Sequence, residues 1–275
     1  MIELNGNEYE ICLFDTNALS NFLKSPKKWI EFYNQEFSVS STIIDYSVFS
    51  IIEIAESSFL FNKYLEFFSI YPSFILDGFF SIFTKELQAY DNDNFQVNPV
   101  VISPLNSGLE SKLNPKDRLK TIIDKSGFFI RKQYWDSGRQ SILDGITSLT
   151  QHYPPKNKKY SKKEIEYFVD LASMQQIILR DNKFAQNIIH NNLQIDPQQF
   201  PSIISTSFIV FYKFYPDKRK PIISDVYDIL ISSLLPYVDY IITENNLCEI
   251  IRKIQKNHSF LNELKYYSIN DVNYY

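Results

Sequence analysis

The feature that most constrains the fold of this chain is a short apolar run that ends abruptly in polar residues. Residues 11–14 read Ile-Cys-Leu-Phe, and Asp15, Thr16 and Asn17 follow them directly. A run this short is typical of a strand that is buried on both faces of a sheet. An ionised carboxylate at the end of a buried strand is costly unless it is paired, hydrogen-bonded or bound to a metal. We therefore expect other polar or charged groups to lie close to Asp15 in the folded protein.

Composition and charge limit the class of protein. The chain has 275 residues, of which 44% are hydrophobic, so a large core is expected and global disorder is not. The net charge of -4 provides no overall attraction to nucleic acid, so any such binding must come from local basic stretches. The two cysteines form no ligand-spaced set, and neither a signal peptide nor a membrane span is recognisable. The sequence therefore predicts a cytoplasmic protein that does not enter a membrane.

Strand and helix signals alternate over the first hundred residues and again near the C-terminus. Pro99 favours an edge position for the strand predicted at 97–102. The other strands are predicted at 11–14, 71–76, 239–242 and 266–269, and the helices at 25–33, 47–56, 78–90, 224–235 and 247–255. Alternation of this kind predicts an α/β protein in which helices flank a central parallel sheet.

Strand signals are absent between about residues 104 and 215. Helix starts are predicted at Asn114-Pro115, at Ser161 in a capping box with Glu164, and at Asp196-Pro197. The helix that begins after Ser161 is expected to reach about Ile189. We therefore predict an α/β core at 1–103 and 216–275, with an added helical block at 104–215.

Four acidic residues are predicted to meet at one edge of the sheet. Asp15 and Glu244 follow two different strands, and the carboxyl ends of parallel strands form the usual ligand-binding edge of an α/β sheet. Glu53 adjoins the apolar stripe of a helix, and Asp228 lies near the start of another. Three of them have an ordinary alternative: Asp15 as a turn residue, Glu53 as an exposed helix residue and Glu244 as a residue favouring a helix start.

A divalent cation is the natural partner of such a group of acids. Clustered carboxylates repel one another unless a cation holds them, and Mg²⁺ and Mn²⁺ prefer oxygen ligands. A site of this kind supports phosphodiester hydrolysis. Asp225 lies three residues before Asp228 on the same helical face and is expected to support the site or the helix dipole.

The chain resembles the PIN-domain ribonucleases in three stretches. These are Leu13-Phe14-Asp15-Thr16-Asn17, the spacing Ser47-x-x-Ser50-x-x-Glu53, and Asp228-Ile-Leu-Ile followed by Tyr240-Ile-Ile-Thr243-Glu244-Asn245. The resemblance implies a PIN-like sheet and Mg²⁺- or Mn²⁺-dependent cleavage of RNA. It also implies catalytic, metal-binding roles for Asp15, Glu53, Asp228 and Glu244. The supporting residues it implies are Thr16, Asn17, Asp225, Thr243 and Asn245.

The chain departs from the family pattern at two places. The family commonly has Thr-x-Asp after the last of these strands, whereas the third position here is Asn245, so Glu244 or Asn245 fills the fourth position. The helical block also makes the chain longer than compact members. Basic residues near two loops are candidates for RNA binding: Lys158, Lys159, Lys162, Lys218, Arg219 and Lys220.

The sequence favours a metal-dependent endoribonuclease, and a toxin or defence role with an inhibitory protein partner is compatible with the resemblance. DNA remains an alternative substrate. The second hypothesis is a PIN-like binding or regulatory protein with weakened catalysis, which Asn245 motivates. A phosphatase with Asp15 as nucleophile is a weaker alternative, because enzymes of the haloacid-dehalogenase type require an aspartate where this chain has Asn17.

Overall fold

The structure is a computed structural model. It describes residues 2–4, 6–37, 41–92, 97–102, 113–181, 184–186, 190 and 195–272, without the side chains of 4, 102, 130, 131 and 133–137. In the described residues, no helix combines the length and the apolar character needed to cross a membrane.

A mostly parallel sheet forms the centre of the fold. Its strands are β1 Ile2–Leu4, β2 Asn7–Phe14, β3 Thr42–Ser47, β4 Ser73–Leu76, β5 Val100–Ile102, β6 Tyr240–Thr243 and β7 Lys265–Ser268. The order is β5-β4-β3-β2-β6-β7, and β1 pairs with β2 as an antiparallel hairpin. β5 is antiparallel to β4, and the other neighbours along this order are parallel. β2 and β6 are adjacent, with Phe14 opposite Ile242, so their carboxyl ends lie together.

Helices cover the sheet. They are α1 Thr16–Lys24, α2 Pro26–Glu36, α3 Val48–Ile54, α4 Ser58–Phe68, α5 Phe79–Asp91, α6 Pro115–Lys125, α7 Phe128–His152, α8 Lys162–Arg180, α9 Pro201–Phe214, α10 Asp225–Ser232, α11 Asn245–His258 and α12 Ile269–Val272. Short 3₁₀ turns precede α9 and β6, at Pro197–Gln199 and Leu235–Tyr237.

The predicted α/β class is confirmed, and most predicted elements are present. β5 takes the predicted edge position, and Ser161 and Glu164 form the predicted capping box of α8. Six elements were not predicted individually: β1, β3, α1, α4, α7 and α12. β3 carries a buried carboxyl, Asp45, whose Oδ1 accepts a hydrogen bond from the backbone of Phe74 on β4. This bond links two neighbouring strands from within the sheet.

Two helix boundaries in the helical block differ from those predicted. α8 ends at Arg180 and not near Ile189, which lies outside the described residues. Asp181 leaves the helical conformation, and its side chain accepts a hydrogen bond from the backbone N–H of Phe184 instead. The Asp196-Pro197 signal begins only a 3₁₀ turn, and α9 begins at Pro201.

The helices between 104 and 215 share a hydrophobic core with the sheet. Ile11 and Leu13 of β2 belong to one buried cluster with Phe168 of α8 and Phe208 of α9. In α9, every residue from Ser202 to Phe214 is buried. The block therefore covers the sheet directly, and the boundaries at 104 and 215 remain a prediction.

Glu86 fixes the start of α9. This carboxylate on α5 is 1% exposed and accepts hydrogen bonds from the backbone and hydroxyl of Ser202, at 2.7 and 2.6 Å. The hydroxyl of Tyr237 donates to it as well. Burial raises the pKa of Glu86 to about 7, and these three donors act against that rise. A free N–H at the beginning of α9 is thereby satisfied by a side chain from a distant element.

We expect Glu86→Ala to lower the free energy of unfolding by about 2–4 kcal/mol, because it leaves buried donors on Ser202 and Tyr237 without an acceptor. Urea denaturation measures the change. The matched control is Glu66→Ala, which removes an exposed carboxylate paired with Lys116 and should change stability by about 0.5 kcal/mol or less. Equal effects of the two substitutions would contradict the assigned role of Glu86.

Candidate active site

A polar cavity of about 540 Å³ opens at the carboxyl ends of β2 and β6. The four acids predicted from the sequence all line it, although they come from different elements: Asp15, Glu53, Asp228 and Glu244. Asp15 follows β2, Glu244 follows β6, Glu53 lies on α3 and Asp228 on α10. Parallel pairing of β2 with β6 brings the first two to the same edge of the sheet.

Asp15 is buried and is hydrogen-bonded at both carboxylate oxygens. It is the N-cap of α1, where Oδ1 accepts a 2.6 Å hydrogen bond from the backbone of Ala18, and Oδ2 accepts one from the hydroxyl of Thr243. Burial raises the pKa of Asp15 to about 6, and the negative charges of Asp228 and Glu244 add to the rise. The predicted turn role and the predicted site position therefore apply to the same carboxylate.

Glu53 is half-buried in the same cavity. Burial raises the pKa of this carboxyl to about 7, and Asp228 and Asp15 contribute to the rise, whereas a hydrogen bond with Thr16 lowers the pKa. Thr16 also contacts Ser50 on α3, at 3.2 Å between the hydroxyl oxygens. The cavity thus holds two carboxyls that keep their protons to a higher pH than usual because they are buried near like charges.

Glu244, and not Asn245, lines the cavity after β6. The amide of Asn17 donates a 2.6 Å hydrogen bond to Oε1 of Glu244, which links the residue after β6 to the start of α1. Asn245 instead accepts a hydrogen bond from Ser268 at the end of β7. Asn246 also lines the cavity.

A buried lysine contacts the two acids of α10. Lys213 lies on α9 and is 7% exposed, and its Nζ lies 3.1 Å from Oδ1 of Asp225 and donates to Oδ2 of Asp228. Arg219 makes a second ion pair with Asp225, at 2.8 Å. The other oxygen of Asp225 accepts a hydrogen bond from the backbone of Ile222. Asp225 is therefore neutralised by two cations, while Asp228 faces the cavity.

Sequence reasoning missed two cations of the site. Lys213 and Arg139 both line the cavity, and Arg139 also lies over the ring of Tyr227 at 5.0 Å from the ring centroid. A signal for Lys213 exists in the sequence, because it is the only charged residue of an otherwise apolar or small helix. Arg139 has no comparable signal.

Five of the six basic residues predicted to bind RNA lie in two neighbouring loops, and the sixth, Lys162, is the first residue of α8. Lys218 contacts Asn157, so the loop at 217–220 lies beside the loop at 156–161 that precedes α8. Lys158 and Lys162 make ion pairs with acids of α8, and Lys159 and Lys220 are exposed. Of the six predicted residues, Arg219 alone lines the cavity.

The donor chemistry of the cavity suits a hard divalent cation, but the present arrangement is not a formed metal site. Carboxylate oxygens are the ligands that Mg²⁺ and Mn²⁺ prefer. In the parts of the chain that the structure describes, no group of three or more His, Cys, Asp or Glu side chains is placed to hold a metal. Lys213 engages Asp228, so a metal ion must compete with an ammonium group for this carboxylate.

The raised pKa of Asp15 predicts a pH-dependent gain in stability for Asp15→Asn in metal-free buffer. The folded protein keeps a proton on Asp15 between pH 3.8 and about 6, where the unfolded chain loses it, so this contribution to stability is complete below pH 3.8 and lost as pH rises through about 6. Asparagine caps a helix equally well and carries no charge. We expect the variant to be more stable than the parent by about 3 kcal/mol at pH 8, with the difference vanishing near pH 4.

Urea denaturation at the two pH values measures this difference. Asp217→Asn, in an exposed loop, is the control and should show no pH-dependent difference from the parent. A variant that loses stability at pH 8 would show that the charge of Asp15 stabilises the metal-free fold.

Comparisons with protein-family models, with curated proteins and with solved structures found no match for this chain.

Proposed function

We propose that this chain is a metal-dependent endoribonuclease with a PIN-like fold. The observation that carries the proposal is the convergence of Asp15, Glu53, Asp228 and Glu244, from four separate elements, on one cavity at the carboxyl edge of a parallel sheet. This is the usual position of a ligand site in an α/β sheet. Residues with raised pKa values in a polar cavity are also typical of functional sites.

The charge of the cavity supports a divalent cation as cofactor. Five carboxylates and three basic side chains are among the described residues that line it, so full ionisation leaves an excess of two negative charges. Asp15, Glu53, Asp228 and Glu244 would hold Mg²⁺ or Mn²⁺. Such a cation, when bound, lowers the pKa of water and stabilises negative charge on a phosphate.

Neighbouring polar groups orient two of the proposed ligands. Thr243 donates to Asp15 and Asn17 donates to Glu244, so each carboxylate has a partner that restricts its rotation. Hydrogen bonds of this kind orient ligands before a metal arrives and commonly change metal affinity by about 10–100-fold when removed.

The basic residues support a nucleic-acid substrate. Arg219, Lys213 and Arg139 line the same cavity as the acids, which places positive charge where a phosphodiester would lie. The exposed lysines of the two adjoining loops extend this positive charge beyond Arg219. Such contacts bind the phosphate backbone without reading its sequence. RNA is the substrate we propose, and DNA is the alternative.

A second candidate function is a PIN-like binding or regulatory protein with weakened catalysis. The pairing of Lys213 with Asp228 favours it, because a built-in ammonium already supplies positive charge to the acids. A toxin or defence role with an inhibitory protein partner belongs to the nuclease proposal and comes from the family resemblance alone.

We expect the parent protein to cleave single-stranded RNA in Mg²⁺ or Mn²⁺, and Asp15→Asn and Asp228→Asn to lose activity about a hundredfold or more. Loss of about 3 kcal/mol of transition-state stabilisation from a misplaced cation corresponds to this factor. A gel assay with a labelled RNA measures cleavage, and Glu66→Gln, which alters an exposed carboxylate of α4, is the control. Equal cleavage by all four proteins would reject the proposed site.

We expect Mn²⁺ to raise the melting temperature of the parent protein by several degrees. A ligand that binds only the folded state stabilises it by about 2.7 kcal/mol at a concentration one hundred times its Kd. Asp15→Asn should abolish this rise, while Glu66→Gln should retain it. Calorimetry in Mn²⁺ and in EDTA provides the comparison, and a parent protein that does not respond to Mn²⁺ favours the binding or regulatory alternative.

A further inference from the structure

A second cavity, about 470 Å³ in volume, lies among α7, α8 and α9 and has a mainly apolar lining. Its floor is buried: Phe79, Ala172, Val210 and Leu230 are each at most 4% exposed. A volume of roughly 300–1,000 Å³ with an apolar lining and a few polar groups is typical of small-molecule sites. The cavity therefore has the size and the character of a binding site.

The sequence of α7 keeps this space open. Gly138, Ser141, Gly145 and Ser148 line the cavity, and their spacing of three, four and three residues places them on one face of the helix. Apart from its chain neighbours and its own helix backbone, a Cβ atom added to Gly138 or Gly145 would meet none of the described atoms within 4 Å. Glycine inside a helix costs about 1 kcal/mol relative to alanine, so local helix stability does not account for these residues.

Arg180 provides a positive charge at the wall of the cavity. Its guanidinium carbon lies 4.3 Å from the ring centroid of Phe79 and 5.0 Å from that of Phe80. Its Nε is buried and has no hydrogen-bond partner in the part of the chain that the structure describes, and no described carboxylate forms an ion pair with it. Burial lowers the pKa of Arg180 to about 10, so the group is still a cation at neutral pH. A buried cation with an unsatisfied donor is complementary to an anionic group.

The space continues along the groove between α7 and α8. A neighbouring cavity of about 420 Å³ shares Ser148, Leu149, Gln175 and Leu179 with the first and extends to His152 near the end of α7. Leu179 is 75% exposed at the border between the two. The linings of the two cavities together run along α7 from Gly138 to His152, about 21 Å of helix, and the described cation lies at the Phe79 and Phe80 end.

We infer that this cavity binds a linear amphiphile, an aliphatic chain that ends in a carboxylate. The aliphatic part of the ligand occupies the apolar space along α7, and its carboxylate accepts hydrogen bonds from Arg180. The inference is independent of the proposed nuclease activity, because none of the four predicted acids lines this cavity. The lining extends along α7 and has a single described cation, Arg180, at one end. These features favour a linear ligand with one anionic end over the apolar face of a protein partner.

Isothermal titration of the full chain with dodecanoate, below its micellar concentration, tests the inference. We expect saturable binding of one molecule per chain, and binding of the uncharged dodecanamide at least about tenfold weaker, because a hydrogen bond to a charged group is worth roughly 1.5–3 kcal/mol. Arg180→Gln should weaken dodecanoate binding by a similar factor and leave dodecanamide binding unchanged. Arg252→Gln, which changes an exposed arginine of α11, is the matched control and should bind dodecanoate as the parent does.

Gly145→Leu tests the location, because the added side chain fills the space that the glycine leaves open. We expect loss of dodecanoate binding with the helical circular dichroism of the parent retained. Absence of binding to the parent, equal binding of dodecanoate and dodecanamide, or binding that Arg180→Gln does not change would each overturn the inference. If Gly145→Leu does not fold, the two arginine variants decide the outcome.

Discussion

The buried ion pair between Lys213 and the aspartates of α10 is the interaction on which the acid cavity depends. A lone lysine inside a helix as buried as α9 would be strongly destabilising, and so would Asp225 at 2% exposure without a cation. Together with Arg219 they form a compensated group that ties the end of α9 to the start of α10. At the other end of α9, Glu86 satisfies the first turn. The ion pairs of Lys213 and the hydrogen bonds of Glu86 thus hold α9 at both ends. As a result, α10 is positioned so that Asp228 lines the same cavity as Asp15.

Capping alone does not explain the carboxylate of Asp15. Serine or asparagine would cap α1 without placing a charge in a site where burial raises the pKa to about 6. Glu53 shows the same condition on α3, with a pKa raised to about 7 and no capping role. Two carboxyls that are unfavourably placed for stability, and that face one cavity, fit a functional site better than a structural one.

The sequence predicts the sheet well where its strands are uniform apolar runs, as in β2 and β6. It fails at β3, because Asp45 interrupts the run and its hydrogen bond to Phe74 exists only once β4 is in place. The acids of the cavity are predictable because each follows a strand or lies near a recognisable helix. The cations of the cavity could not be predicted, because the pairing of Lys213 with Asp228 depends on how α9 packs beside α10. A single lysine in an apolar helix indicates that a buried partner exists but does not identify it.

The helical block, which the family resemblance does not cover, supplies charge to the acid cavity and walls to the apolar one. On α7, Arg139 faces the acids and Gly138 faces the apolar cavity. On α9, Lys213 lines the acid cavity and Val210 lines the apolar one. A core without these helices would leave Asp225 with Arg219 as its only described cation and would expose the apolar residues of β2. The charge balance around Asp228 is therefore a property of both the block and the core.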